Sequence, residues 1–259
     1  MTLAADLERA REGLRRAATI LRSHAGDDVP YRLKGGTSPV TAADVEVDGM
    51  LRDLLPLPGD GWLSEETDDD ARRLGCRRIW IVDPLDGTRS FVANRPEYAT
   101  SIALVVDGEP VLGAIGNPAT GYCVSGARGL GVAVEGARQL PWPRAAAALH
   151  VLVSRSEWKR GEWSHLAAAD CTALPLGSVA YKLALVAGGA ADATVTLHPK
   201  HEWDVAAGAA LVREAGGEVW LPRGGHLLWN RRRPRFLSFA AARAGLQARI
   251  AALSPPPPA

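Results

Sequence analysis

Trp80-Ile-Val-Asp-Pro-Leu-Asp-Gly-Thr88 is the most informative segment of the chain. It continues a short apolar run over residues 78–82, a pattern typical of a buried strand. The strand is followed by Asp83-Pro-Leu-Asp86-Gly, in which proline fixes one backbone dihedral and glycine permits an unusual one. A turn of this kind can aim two carboxylates and the carbonyl oxygen of Leu85 at a single point.

That arrangement of oxygen atoms suits magnesium. Mg²⁺ binds proteins through a few carboxylates and keeps its remaining positions for water and substrate phosphate. A helix beginning near Gly87 would add free backbone N–H groups that attract an anion. An ordinary Asx-type turn between a strand and a helix fits the same residues, so the segment alone leaves both interpretations open.

Three further acidic residues are candidate metal ligands, although each also has a structural explanation. Glu65 lies in Leu63-Ser-Glu-Glu66, which also fits a solvated acidic loop. Asp44 follows Thr41 with the spacing of a capping box. Asp204 opens a helix rich in small residues, where aspartate is a preferred N-cap. Each residue taken alone leaves metal binding and a structural role open.

The order of helices and strands indicates a layered α+β fold. Asp107-Gly108 separates two apolar runs, 101–106 and 111–116, and predicts a β-hairpin. The sheet is therefore not simply parallel, which favours α+β layers over a Rossmann arrangement. The chain has no G-x-G-x-x-G sequence after a strand and no Walker A sequence, so the common nucleotide-cofactor motifs are excluded.

The charge balance excludes several classes of protein. The 259 residues include 30 Lys and Arg against 29 Asp and Glu, a formal net charge of +1. A strongly basic nucleic-acid binder and a highly charged disordered protein are excluded, and we expect no DNA partner. No apolar run is long enough to span a bilayer, and the first residues are typical of a charged helix rather than a signal peptide. We therefore expect a cytoplasmic protein with no membrane partner.

The acidic segments, taken together and in order, resemble those of the inositol monophosphatase superfamily, the lithium-sensitive, magnesium-dependent phosphomonoesterases. The matching segments are Ser38-Pro-Val-Thr-Ala-Ala-Asp44, Leu63-Ser-Glu-Glu66, Trp80-Ile-Val-Asp-Pro-Leu-Asp-Gly-Thr88, Glu202-Trp-Asp-Val-Ala-Ala-Gly208 and Glu214-Ala-Gly-Gly217. They extend over most of the chain. The resemblance implies an α-β-α-β-α layered sandwich that often forms homodimers, and inhibition by lithium.

The resemblance also implies a set of metal ligands. Glu65, Asp83 and the carbonyl oxygen of Leu85 would hold a first Mg²⁺. Asp83 would bridge to a second Mg²⁺, which Asp86 and Asp204 also bind. Two close metal ions suit phosphomonoester hydrolysis because they lower the pKa of a water molecule, orient it in line and stabilise the leaving oxygen.

Catalytic and phosphate-binding roles follow from the same resemblance. Asp44 would lie beside a third, weaker metal position, so two or three Mg²⁺ ions are expected in the site. Thr88 together with Glu65 would orient the attacking water, which makes Glu65, Thr88 and Asp83 the expected catalytic residues. The backbone N–H groups of Gly87 and Thr88 would contact the scissile phosphate.

Pro141-Trp-Pro143 and the alanines that follow predict a connection between two subdomains. Residues 1–142 would form an α+β subdomain that carries most of the metal ligands. Residues 143–253 would form an α/β subdomain that supplies Asp204 and substrate contacts. The proline-rich residues 254–259 are predicted to be a disordered tail.

Two segments are most similar to the CysQ-like 3′(2′),5′-bisphosphate nucleotidase branch of the superfamily, which belongs to sulfate assimilation. They are Val153-Ser-Arg-Ser156 and Gly177-Ser178 with Lys182. The branch removes the 3′-phosphate of 3′-phosphoadenosine 5′-phosphate, a small substrate that carries a second phosphate. Arg155, Ser178 and Lys182 are predicted to contact that second phosphate. Asp204 is expected to contact the substrate as well as a metal ion.

Other substrates and one other class of function stay open. Arg89-Ser90-Phe91 departs from the nucleotidase branch and is more similar to some histidinol-phosphate phosphatases. Inositol phosphate, histidinol phosphate and fructose 1,6-bisphosphate are therefore alternative substrates. The basic residues 231–235 fit a solvated turn, or an RNA or partner contact in a non-catalytic member. The intact acidic residues argue against the latter, since a protein without turnover need not hold repelling carboxylates together.

Overall fold

The structure is a computed structural model that describes residues 2–35, 38–137, 140, 149–168 and 170–253. Its α-helices within these ranges are α1 Leu3–His24, α2 Ala42–Leu54, α3 Thr88–Val92, α4 Arg155–Lys159, α5 Val179–Ala187, α6 Glu202–Glu214 and α7 Gln247–Leu253. Its strands there are β1 Tyr31–Lys34, β2 Ser38–Thr41, β3 Gly61–Ser64, β4 Arg78–Asp86, β5 Ala99–Val106, β6 Glu109–Asn117, β7 Tyr122–Ala127, β8 Gly131–Glu135, β9 Leu149–Ser154, β10 Cys171–Leu176, β11 Ala193–Thr196, β12 Lys200–His201, β13 Glu218–Trp220, β14 Arg235–Phe236 and β15 Phe239–Ala242.

Two β-sheets and three sets of helices form five layers. A six-stranded sheet in the order β3-β4-β5-β6-β7-β8 has α1 and α2 packed on one face, and α5 and α6 on the other. Beyond α5 and α6 lies a five-stranded sheet in the order β10-β9-β11-β15-β13. Trp163, Leu166 and Ile250 cover the outer face of this second sheet. The predicted α-β-α-β-α sandwich is confirmed.

The larger sheet mixes parallel and antiparallel pairs. β3 runs parallel to β4, whereas β4 to β8 form an antiparallel meander. Parallel neighbours end at the same edge of a sheet, where α/β proteins commonly place their ligands. The Leu63-Ser-Glu-Glu66 and Asp83–Thr88 segments both come at this edge, so the strand pairing itself brings the two acidic segments together.

Turn and cap signals in the sequence correspond to observed elements. The Asp107-Gly108 turn joins β5 to β6, and its φ angles of 51° and 80° are those of a hairpin with two left-handed residues. Thr41 and Asp44 form the predicted capping box of α2. The Thr41 N–H donates to Asp44 Oδ2 at 2.7 Å, and the Asp44 N–H donates to Thr41 Oγ1 at 3.4 Å.

Two expectations about chain organisation fall outside the described residues. The predicted boundary between residues 142 and 143 lies in 141–148, and the predicted tail occupies 254–259. The division into two subdomains therefore stays a prediction, as do the homodimer and the cytoplasmic location. Among the described residues, no helix combines the length and the apolar character needed to cross a membrane.

Candidate active site

The segment from Asp83 to Thr88 completes β4 and begins α3. β4 continues through Asp86, so both aspartates stand at the end of a strand. Gly87 then adopts a φ of 98°, a backbone conformation that strains any residue with a side chain. A Cβ atom at this position would also lie 2.8 Å from the carbonyl oxygen of Glu97. The turn therefore requires glycine for both reasons.

Three of the predicted metal ligands meet at one point. A carboxylate oxygen from each of Asp83, Asp86 and Asp204 lies within 4.8 Å of the other two. Glu65 joins them from the end of β3, where its backbone N–H donates to the Val82 carbonyl oxygen at 3.3 Å. Its negative charge is close enough to raise the pKa of Asp83. We refer to these four acidic residues as the acidic cluster.

Asp204 reaches the acidic cluster from the first turn of α6. The helix begins at Glu202, so His201 is the N-cap and Asp204 is the third helical residue, which corrects the expectation that Asp204 is the cap. One of its carboxylate oxygens accepts a hydrogen bond from the His201 N–H at 2.8 Å. α6 packs closely on β6 at Gly113, where a Cβ atom would lie 2.2 Å from the Ala207 carbonyl oxygen.

Asp86 is held by the start of α5. Its Oδ2 accepts hydrogen bonds from the Ser178 hydroxyl at 2.7 Å and from the Ala180 N–H at 2.6 Å. Ser178 Oγ in turn accepts a hydrogen bond from the Tyr181 N–H at 3.0 Å. Both donors bind the same oxygen of Asp86, so the protein itself orients this carboxylate.

Thr88 and Asp44 lie side by side next to the acidic cluster. The Thr88 hydroxyl is 3.1 Å from Asp44 Oδ1 and 3.0 Å from the Leu85 carbonyl oxygen, and both atoms are acceptors. Asp44 uses its other oxygen, Oδ2, in the capping box with Thr41. The predicted water-orienting threonine is therefore held by its hydroxyl rather than left to rotate.

Burial and the crowding of like charges raise the pKa values in the acidic cluster. Burial is the larger cause at Asp83, whose pKa lies well above its usual value, and the charge of Glu65 adds to it. Burial and the neighbouring Asp204 raise the pKa of Glu65 to about 8. Burial and Asp86 raise the pKa of Asp204 to about 7, although Lys200 acts in the opposite direction. A cluster of this kind takes up protons or cations.

Comparison with known proteins assigns this arrangement to a family. A sequence model of the inositol monophosphatase family matches residues 4–254 and so includes the whole acidic cluster. The chain belongs to the inositol monophosphatase family. It is a phosphatase of that family, whose members depend on magnesium.

Named relatives of this inositol monophosphatase family member fall into two groups. Inositol-1-monophosphatase of Mycobacterium leprae (strain TN) is 36% identical over 203 residues, 72% of this chain and 69% of the relative. The 3′(2′),5′-bisphosphate nucleotidase CysQ of Escherichia coli (strain K12) is 35% identical over 191 residues, 72% of this chain and 77% of the relative. The crystal structure of CysQ from Bacteroides thetaiotaomicron superimposes with a TM-score of 0.77 at 26% identity, covering 92% of this chain and 97% of that one.

The acidic cluster fits the magnesium that the family implies. Its side chains offer oxygen donors, the ligand type that Mg²⁺ prefers. Asp83 Oδ2 is buried and has no hydrogen-bond partner among the described residues. A buried carboxylate oxygen without a partner is costly, and a cation bound between the carboxylates would supply the missing interaction.

A cleft of about 570 Å³ opens beside the acidic cluster. Acidic residues of the cluster line it together with six basic residues: Arg89, Arg95, Arg155, Lys159, Lys182 and Lys200. Basic side chains around a cleft attract anions and raise their local concentration. The cleft therefore suits an anionic substrate with one end at the acidic cluster.

Ser178 and Lys182 line this cleft, but both are bound to groups of the protein. The Ser178 hydroxyl donates to Asp86, as described above. Lys182 is 1% exposed, and its ammonium donates to the carbonyl oxygens of Leu176 at 3.4 Å and Ser178 at 3.0 Å. Contact of either residue with a second phosphate stays a prediction.

Arg155 lines the same cleft and forms an ion pair with Glu97. Glu97 Oε2 also accepts a hydrogen bond from the Gly177 N–H at 2.7 Å, and so ties α4 to the turn before α5. The sequence analysis missed Glu97 because it is a lone glutamate whose partner Gly177 lies 80 residues away along the chain. No local spacing pattern marks such a residue.

The basic residues 231–235 are partly bound into the fold. The Arg231 guanidinium lies 3.7 Å from a carboxylate oxygen of buried Glu202 and 4.5 Å from the ring centre of Phe236. Glu202 also accepts hydrogen bonds from the backbone N–H groups of Arg231 at 3.1 Å and Asn230 at 2.7 Å. Arg231 therefore has a structural role, and an RNA or partner contact by the remaining arginines stays a prediction.

The raised pKa values predict how the metal-free protein responds to pH. A carboxyl group with a raised folded-state pKa stabilises the fold fully below its unfolded-state pKa, and this contribution is lost as the pH rises through the folded-state value. For Glu65 and Asp204 the loss is complete only above folded-state pKa values of about 8 and about 7. We expect the melting temperature in EDTA to fall by on the order of 10 °C between about pH 5 and about pH 8.5.

Scanning calorimetry at fixed ionic strength measures this slope. Saturating Mg²⁺ should flatten it, because a bound cation would then neutralise the carboxylates without protons. A melting temperature in EDTA that rises over the same range would contradict the raised pKa values.

Proposed function

We propose that the chain removes the 3′-phosphate of a bisphosphate nucleotide such as 3′-phosphoadenosine 5′-phosphate. The observation that carries the proposal is the presence of several cations in the same cleft as the acidic cluster. A substrate with a single phosphate needs only the metal-binding end of the cleft. Arg95, Arg155 and Lys159 provide charged donors for a second phosphate. The 35% identity to the CysQ nucleotidase of Escherichia coli supports the same substrate class.

These three cations are placed to act together. Arg155 and Lys159 stand four residues apart on α4, a spacing that puts both on one side of the helix. Arg95 lies near Arg155, since burial first and then the charge of Arg95 lower the pKa of the Arg155 guanidinium. Glu97 fixes Arg155 through their ion pair and so reduces the conformational entropy that anion binding would otherwise cost.

The acidic cluster would hold the metal ions. Glu65, Asp83 and the Leu85 carbonyl oxygen would bind one Mg²⁺, and Asp83 would share a second with Asp86 and Asp204. When bound, magnesium activates water as a nucleophile and neutralises charge on the leaving oxygen. The cluster's own residues hold fixed positions before any ion binds, because backbone N–H groups orient Asp86 and Asp204.

Thr88 and the neighbouring backbone would align the reacting groups. The Thr88 hydroxyl donates to Asp44 or to the Leu85 carbonyl, which leaves its own oxygen available to accept a hydrogen bond from the attacking water. Glu65 would hold that water from the other side. The N–H groups of Gly87 and Thr88 would contact the scissile phosphate.

Inositol 1-phosphate is the second candidate substrate. The 36% identity to the inositol-1-monophosphatase of Mycobacterium leprae favours it. A monophosphate, however, would leave Arg95, Arg155 and Lys159 without a phosphate to bind. Histidinol phosphate and fructose 1,6-bisphosphate complete the set of substrates to be tested.

Phosphate release from these four substrates, with and without Mg²⁺, tests the proposal. We expect kcat/KM for 3′-phosphoadenosine 5′-phosphate to exceed that for inositol 1-phosphate by about 100-fold, which corresponds to about 2.7 kcal/mol of added transition-state stabilisation. Preference for a monophosphate would refute the nucleotidase assignment and leave the metal site unaffected.

Arg155→Ala should separate the two ends of the cleft. We expect its KM for the bisphosphate to rise about 10-fold, the size of one lost charged hydrogen bond, with little change for inositol 1-phosphate. Arg77→Ala is the matched control, since Arg77 is exposed and paired with Asp107 at 2.9 Å, outside the cleft lining. Equal losses for both substrates would remove Arg155 from the second-phosphate site.

A further inference from the structure

Lys182 is a buried cation whose surroundings are unusual. It is 1% exposed and lies in the first part of α5, where the positive end of the helix dipole disfavours a cation. Burial lowers the pKa of its ammonium to about 8. Its ammonium has no carboxylate within ion-pair distance in the part of the chain that the structure describes, and its hydrogen bonds go to the carbonyl oxygens of Leu176 and Ser178. A charge buried in this way is costly.

The two carbonyl groups that Lys182 binds enclose a strained turn. Ser178 adopts a φ of 55°, in the left-handed region that residues with a side chain rarely occupy. Leu176 ends β10 on one side of the turn, and the Ser178 carbonyl lies on the other. Strain of this kind persists only where the surrounding structure holds it. The ammonium of Lys182 supplies two of the contacts that hold the turn.

The turn in question is the one that orients Asp86. Ser178 and Ala180 both donate to Asp86 Oδ2, and a Cβ atom at Gly87 would lie 3.3 Å from Ser178 Cβ. The strained turn is therefore in contact with the segment that supplies Asp83 and Asp86 to the acidic cluster. A shift of Ser178 would move both donors to the Asp86 carboxylate.

We propose that Lys182 is a positioning residue for the metal site: it clamps the Leu176–Ser178 turn, and the turn sets the orientation of Asp86. The proposal rests on the assignment of Asp86 as a magnesium ligand under the proposed function. It differs from the prediction that Lys182 contacts a second phosphate, because it makes Lys182 equally necessary for every substrate.

The sign of the effect on magnesium binding distinguishes positioning from simple electrostatics. Lys182 is a cation near the acidic cluster, and its charge favours the ionised form of Asp204. If charge were its only role, removing it would reduce repulsion of Mg²⁺ and tighten binding. If Lys182 positions Asp86, removing it weakens Mg²⁺ binding although a repelling charge is lost.

The experiment is titration calorimetry of Mg²⁺ into purified Lys182→Met protein without substrate. We expect the dissociation constant to rise at least about 10-fold, and kcat to fall by a similar factor for both 3′-phosphoadenosine 5′-phosphate and inositol 1-phosphate, with KM little changed. Lys182→Gln, which keeps N–H donors without the charge, should recover part of the affinity. Because no substrate is present in the titration, its result does not depend on which ester the enzyme prefers.

Leu185→Ala is the matched control, because Leu185 is a fully buried residue of the same helix and makes no contact with Asp86. It should lower the melting temperature while leaving Mg²⁺ affinity within about two-fold of the unmodified protein. Ser178→Ala and Lys182→Met should be non-additive in a double-mutant cycle on Mg²⁺ affinity, since both act through one turn. Unchanged or tighter Mg²⁺ binding by Lys182→Met would overturn the proposal. A KM rise confined to the bisphosphate would assign Lys182 to substrate instead. If Lys182→Met does not fold, the Lys182→Gln titration decides alone.

Discussion

Asp83→Asn should abolish magnesium-dependent turnover and at the same time stabilise the metal-free protein. Asp83 is buried, one of its oxygens has no partner among the described residues, and three other carboxylates surround it. Folding the metal-free chain at neutral pH therefore requires either a proton or a repelled charge at this position. Asparagine has nearly the same shape and needs neither.

The expected magnitudes are large and opposite in sign. We expect kcat/KM to fall at least roughly 10³-fold, the upper range for losing one preorganised electrostatic contact in an active site. The free energy of unfolding in EDTA should rise by about 1–3 kcal/mol, the usual cost of a buried unsatisfied polar group. Phosphate release and urea denaturation of the same preparation measure both quantities.

Asp68→Asn is the control for this prediction, since Asp68 is an exposed residue of the acidic loop after β3. It should change neither turnover nor stability. Turnover of Asp83→Asn within a factor of about ten of the unmodified protein would contradict the bridging-ligand assignment. If the unmodified protein also releases no phosphate from any of the four substrates, the non-catalytic alternative gains weight.

Gly113→Ala should destabilise the fold and disturb a metal ligand from a distance. A Cβ atom at residue 113 would lie 2.2 Å from the backbone oxygen of Ala207 in α6, so the helix must move away from β6. Overpacking against backbone costs about 3 kcal/mol. Because Asp204 stands in the first turn of α6, the same displacement should weaken Mg²⁺ binding about 10-fold or more.

Gly116→Ala is a closely matched control, because it makes the same substitution in the same strand. Its new Cβ atom would meet Leu14 at 3.5 Å, an ordinary van der Waals contact. We expect its free energy of unfolding and its Mg²⁺ affinity to stay close to those of the unmodified protein. Equal behaviour of the two variants in denaturation and calorimetry would show that the close approach of α6 at Gly113 is not needed.

The sequence predicted the parts of the site that local chemistry determines. Asp83 and Asp86 follow an apolar strand, and Thr41 with Asp44 has the spacing of a capping box, so each could be located without tertiary information. The prediction for α6 was wrong by two residues at its start, because Glu202 is buried and precedes Asp204 within the helix. Helix starts with a polar residue at several adjacent positions do not show which one is the cap.

Contacts between distant segments could not be predicted in the same way. The pairing of Glu97 with Arg155 and Gly177 depends on how three separate segments pack, and nothing in their local sequence indicates it. Lys182 was predicted to face the substrate, but its ammonium instead binds two carbonyl oxygens inside the protein. Whether a lysine near a cleft points into it is decided by side-chain packing, which the spacing of residues along one helix does not specify.

The capping contacts of Asp44 and Asp204 have an evolutionary consequence. Each accepts a hydrogen bond from the backbone at the start of its helix, so natural selection for folding alone would retain both in a descendant that no longer processes phosphate esters. Asp83 has the opposite status, since its substitution by asparagine would relieve strain once turnover is no longer selected. Among diverged descendants, loss of Asp83 should therefore come early and mark the loss of enzymatic activity, whereas the two helix-start aspartates would outlast it.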